Sequence, residues 1–116
     1  MAVTLKNTSV GTFTAATETD VYTNSSGVAA IVLSSTITCI NAAGMTGEMK
    51  LTDGSNNMKE WIIPPLSSIG YNNGLVETKK IVVPNGYKIR AKVSLTLSSY
   101  DNGGVSINYA EGASSA

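Results

Sequence analysis

Histidine is absent from this sequence, and cysteine, tryptophan and phenylalanine each occur once. Without histidine there is no Ser-His-Asp or Cys-His catalysis, and the commonest general base and metal ligand are both missing. A single cysteine, Cys39, excludes an internal disulfide, so the fold does not depend on an oxidising compartment. A zinc site would have to be built from that thiol and carboxylates alone. No metal is expected. Charge is scarce too, at 14% of residues against a usual share of about a quarter. Eight basic residues cancel eight acidic ones. A neutral chain has no long-range field to steer it onto nucleic acid or an anionic membrane, and neither partner is expected. Near-zero charge also does little to oppose self-association. No apolar run approaches the roughly 20 residues of a membrane-spanning helix. The opening MAVTLKNTSV has neither the basic nor the apolar region of a secretory signal, so synthesis in the cytoplasm is expected. No GxGxxG, P-loop or nucleophile elbow occurs, and no cofactor and no enzymatic activity are expected.

What the chain does contain is the grammar of strands and turns. Ser, Thr, Asn and 11 Gly residues supply most of its polarity. Thr favours strands, while Asn and Gly favour tight turns. The clearest segment runs from Pro84 to Leu97. A Pro84-Asn85-Gly86 turn leads into Tyr87, Ile89, Ala91, Val93, Leu95 and Leu97, interleaved with Lys88, Arg90, Lys92, Ser94 and Thr96. Period-two alternation predicts one buried face and one wet face. Val28 to Ile40 is the longest apolar stretch and reads as a central strand bent near Ser34-Ser35, because β-branched residues dominate it. Glu48–Thr52 and Met58–Ile63 flank Asp53-Gly54-Ser55-Asn56-Asn57 and read as a hairpin that Pro64-Pro65 ends, since proline cannot donate to a ladder. The whole chain, 1–116, predicts an all-β single domain of eight to nine short strands. The expected architecture is an antiparallel sandwich, jelly-roll-like or immunoglobulin-like. Residues 1–16 are expected as an extended N-terminal arm and 110–116 as a loose tail.

Few residues stand out as chemistry. Glu18 and Asp20 share a strand face, which reads as a solvated face. Cys39 reads as a buried, inert thiol. Lys88, Arg90 and Lys92 form the one directed charge cluster, with Lys79 and Lys80 expected beside them on a paired strand. That cluster suits an acidic partner surface or a phosphate backbone, or protects a long strand from stray edge pairing. Trp61 stands just before Pro64-Pro65 and reads as a half-buried core residue or an interface anchor.

The order of segments resembles a group of small tailed-bacteriophage virion proteins. The resemblance is carried by Thr19-Asp20-Val21-Tyr22-Thr23 and the apolar strand from Val28 to Ser35. It continues through the exposed Asp53-Gly54 turn, Ile63-Pro64-Pro65-Leu66-Ser67-Ser68, Lys80 to Ile89 around Gly86, and Val105 to Tyr109. It spans about residues 15 to 110. Asn24-Ser25-Ser26-Gly27 departs from it, where proline-glycine is common in such proteins. The resemblance implies a structural role: a capsid cement or decoration protein on the outer capsid surface of the virion. Its implied partners are the major capsid protein and itself, as a homotrimer. Trp61, Ile63, Pro64 and Pro65 are then expected as one contact patch, with Lys88, Arg90 and Lys92, or the N-terminal arm, as another. The alternative is a small tail, neck or fibre component binding a host-surface glycan through Trp61, Tyr71 or Tyr100.

Overall fold

The computed structural model describes residues 4–112. They form nine strands and no helix, in two antiparallel sheets. The strands are β1 (Thr4–Val10), β2 (Thr19–Thr23), β3 (Ala30–Cys39), β4 (Met45–Thr52), β5 (Met58–Ile69), β6 (Asn73–Glu77), β7 (Ile81–Val83), β8 (Lys88–Val93) and β9 (Gly103–Glu111). Sheet I has the order β1-β9-β3-β6, with β7 also on β3; sheet II has the order β2-β8-β4-β5. The architecture is a β-sandwich. Only β4 and β5 are neighbours both in sequence and in a sheet.

Alternation positions the core. Ile89, Ala91 and Val93 of β8 are buried, while Lys88, Arg90 and Lys92 lie on the outer side of sheet II. Val105, Ile107 and Tyr109 of β9 meet them from sheet I, with Ile37, Met49, Ile63 and Ile81 filling the space between. The strand expected to run to Leu97 stops at Val93. Leu97 is nevertheless buried, because it exchanges two backbone hydrogen bonds with Phe13 at 2.9 and 3.0 Å. Tertiary pairing between two loops replaces the expected ladder.

The bend in β3 is a bulge. Val32 pairs with Tyr109 and Ser34 with Asn108, so Leu33 is the extra residue. Below the bulge Ala30 and Val32 face inward; above it Ser35, Ile37 and Cys39 do. One inserted residue reverses side-chain parity. That is why the sequence looks apolar on both faces there.

Two expected boundaries differ. Thr4–Val10, placed in an extended arm, is a strand paired along its length with β9. Ala110 and Glu111, placed in the tail, belong to β9; residues 1–3 and 113–116 of those segments lie outside the described residues.

Candidate functional site

Pro64-Pro65 does not end β5. The strand continues to Ile69 by looping around the prolines. Ile63 pairs with Met49 and Ser67 with Gly47, so Pro64, Pro65 and Leu66 stand opposite Glu48 alone. Two prolines lack ladder donors, and the strand accommodates them by expelling them. The Ser67 hydroxyl donates to the Pro64 carbonyl at 2.7 Å and closes the loop. Leu66 has φ of 62°, a left-handed conformation that is strained for leucine. Its side chain is 79% exposed. An apolar tip is thus held rigidly off the edge of sheet II. At its foot lies a shallow cleft of about 180 Å³, lined by Ala16, Thr46, Glu48, Leu66, Lys92 and Ser94 among others.

Beside the tip, the outer face of sheet II carries charge. Asp20 pairs with Arg90, Arg90 with Lys50, and Lys50 with Trp61, so one row crosses all four strands. Arg90 bonds Asp20 at 2.7 Å and Glu18 at 2.9 Å. Lys50 also bonds Glu18, and its ammonium stands 5.6 Å from the centre of the Trp61 ring. Lys88 reaches Asp20 at 3.4 Å and Lys92 reaches Glu48 at 3.7 Å. Hydrogen bonding from Lys50 is the main influence that holds the Glu18 carboxyl below the usual carboxylate range, with Arg90 and Lys92 adding to it.

These contacts change what the sequence suggested. Lys88, Arg90 and Lys92 share a face, but it is a balanced network rather than a bare cationic strip. Glu18 just before β2, Asp20 on it and Glu48 on β4 are its acidic half, and crossover topology brings β2 beside β8. Lys79 and Lys80 are not beside it. Lys79 pairs with Glu60 at 2.6 Å, and Lys80 reaches the Leu33 carbonyl at 3.5 Å. Trp61, expected in a patch apart from the basic residues, joins their face as a half-buried ring. Ile63 points into the core at 2% exposure and offers no side chain to a partner. Leu66 takes its place at the tip. The Pro-Pro pair was its only sequence signal. The aromatic platform is divided: Trp61 lies on the outer face of sheet II, while Tyr100 lies over Gly11 and Gly104 with its hydroxyl 2.7 Å from that of Ser9, beside sheet I.

Asn24 is a second residue the sequence underplayed. It is fully buried. Its amide donates to the Val28 and Val83 carbonyls, both at 2.8 Å, and its side-chain oxygen accepts from the Ser26 backbone and hydroxyl. Its backbone binds Tyr87 and Gly86. This asparagine fastens the β2–β3 turn to the Pro84–Gly86 turn, at the very place where the segment departs from proline-glycine.

No family model matches this sequence, and no curated protein matches it. Among solved structures, the chain is similar to one in the cyanophage Pam1 capsid asymmetric unit. The TM-score is 0.47 and the identity 21%, over 93% of this chain and 82% of that one.

Proposed function

We propose that this chain is a phage virion structural protein: a capsid cement or decoration protein that docks on the outer shell as a symmetric oligomer. The observation that carries the reading is the preformed tip at Pro64, Pro65 and Leu66. Its two prolines and the Ser67 bond order it in advance, so binding costs little conformational entropy there. An exposed apolar anchor beside a half-buried tryptophan has the composition of an interface centre. The paired charges of Glu18, Asp20, Lys50, Lys88, Arg90 and Lys92 form its polar margin. The segment order that resembles small tailed-phage virion proteins supports the same reading. The partner is the major capsid protein, and the oligomer is a homotrimer, suited to threefold or quasi-threefold sites among shell subunits. The role is structural rather than catalytic, and no cofactor, membrane or nucleic acid takes part.

The test is copy number in purified source particles, by quantitative mass spectrometry against the major shell protein. Near-stoichiometric copies are expected. A few copies per particle would move the protein to the tail or neck, and absence would overturn the reading. Leu66→Asp, added back to particles stripped of the protein, is expected to fold normally and to lose at least tenfold in occupancy. Full occupancy by this variant would remove Leu66 from the contact.

A further inference from the structure

Three of the four boundaries of the sandwich are blunted against strand addition. β2 is five residues long, with a bulge between Asp20 and Tyr22. β5 carries two prolines and three register shifts. β6 and β7 are five and three residues long. Bulges, prolines and short length are the usual protections of an exposed edge. β1 has none of these three; its one protective residue, Lys6, is drawn aside by Glu111 of its own chain. Its seven residues pair with β9 without a register shift, contain no proline, and carry one charge, Lys6. No other strand pairs with β1 among the described residues.

We infer that the free edge of β1 is a self-association surface, which pairs antiparallel with β1 of a second copy of this chain. Both copies then contribute one strand to a continuous sheet I. Symmetry and charge select the register. In an antiparallel pair about a twofold axis, residues directly opposite must share a face, so their numbers sum to an even value. A pairing centred on Lys6 sets lysine against lysine and uses less of the strand. A pairing centred on Asn7 uses all of Thr4–Val10: Thr4 faces Val10, Leu5 faces Ser9, and Lys6 faces Thr8. Lys6 is already committed to Glu111 of its own chain at 2.7 Å. The outer face that the pairing extends offers no repulsion either. Its rows are Leu5–Ala110–Ile31–Val82 and Ser9–Ser106–Thr36–Val76, with Asn7 and Asn108 between, and none is charged. The charged outer face described above belongs to sheet II, on the other side of the sandwich. The backbone groups along β1 supply the affinity, as in other cases of strand addition. Such a contact is isologous and closes at two copies. It therefore leaves the Leu66 tip free for a different partner, and it joins neighbouring oligomers rather than building a threefold.

The experiment is sedimentation of the purified chain over a wide concentration range, with a pair of charge variants. Leu5→Lys with Ser9→Lys places like charges opposite each other twice across the proposed contact. Leu5→Glu with Ser9→Glu does the same with the other sign. Both positions are exposed, and thermal unfolding checks that each variant folds. The wild type is expected to associate in pairs as concentration rises, monomers to dimers or, where the homotrimer has formed, trimers to hexamers. Each variant alone is expected to raise the dimer Kd about tenfold, and an equimolar mixture to restore it as a heterodimer. Amides of residues 4–10 gain hydrogen-exchange protection with concentration. A wild type that stays monomeric into the millimolar range would overturn the inference, as would dimers indifferent to both variants. A trimer indifferent to both would overturn it while leaving the capsid reading intact. Charge-sensitive dimers of a protein absent from particles would do the reverse.

Discussion

Single residues carry disproportionate weight because the turns are knitted by side chains. Asn24 is the clearest case. All four of its side-chain hydrogen bonds are inside the protein, and removing the amide takes one donor from each of the Val28 and Val83 carbonyls at a fully buried position. Asn24→Ala is expected to lower the free energy of unfolding by about 2–3 kcal/mol, measured by urea denaturation. Asn24→Asp keeps the oxygen that accepts from Ser26 but sets a buried carboxylate against those two carbonyls, and is expected to cost more than alanine at neutral pH. Gly103 works by absence: β9 passes so close to β3 that a Cβ there would lie 2.0 Å from the Thr38 carbonyl oxygen. In the sequence, Asn24 was visible only as a turn former and Gly103 only as half of a Gly-Gly pair. What each one touches is set by strands far away in the chain.

At the scale of elements, bulges decide which residues face out. The alternation of β8 was legible because no bulge interrupts it between Lys88 and Val93. In β3 and β5 it was not. One extra residue at Leu33 reverses the pattern of β3, and three residues opposite one turn the prolines of β5 from a stop into a projection. The strain at Leu66 yields a test that separates architecture from docking. Glycine adopts the left-handed conformation without the steric cost that leucine bears. Leu66→Gly is therefore expected to keep stability within about 1 kcal/mol of wild type, while losing the apolar contact. A large loss of stability in thermal unfolding would mean that Leu66 packs into the fold rather than projecting from it.

For the molecule as a whole, ion pairs and one phenol tie the sheets and their faces together. Tyr22 of sheet II donates to Glu111 of sheet I at 2.8 Å, and the Tyr22 and Tyr109 rings stack at 4.3 Å between centres. The hydrogen bond from Lys6, and then that from Tyr22, holds the Glu111 carboxyl below its ordinary value. Burial chiefly, and then the bond to Glu111, pushes the Tyr22 phenol above its ordinary value of 10.0. The consequences for stability have opposite signs. Glu18 and Glu111 are lowered on folding, so their contribution is complete above the unfolded carboxylate range and is lost as pH falls through their folded values. Tyr22 is raised, so its contribution is complete below about pH 10 and is lost as pH rises toward its folded value. A stability plateau from about pH 5 to about pH 9 is expected in urea titrations, with loss on both sides. Glu111→Gln should flatten the acid limb. An unchanged acid limb would show that this carboxylate does not link the sheets energetically.

Composition and period-two alternation were sufficient for the fold class, for the buried row of β8, for the β4–β5 hairpin and for the wet side of the basic strand. Those properties depend on residues near one another in the chain, where side-chain direction follows from spacing alone. Strand order did not have that support, since every sheet neighbour except β4–β5 is distant in sequence. Nor did the pairing of Glu18 and Asp20 with Arg90, the company of Trp61, the exposure of Leu66 or the open edge of β1. The company of Trp61 and the exposure of Leu66 follow from bulges inside the β4–β5 hairpin, and the rest is a set of relations across the crossover connections. It comes into being only when the two sheets pack, because burying the apolar rows against each other fixes which polar rows become neighbours outside.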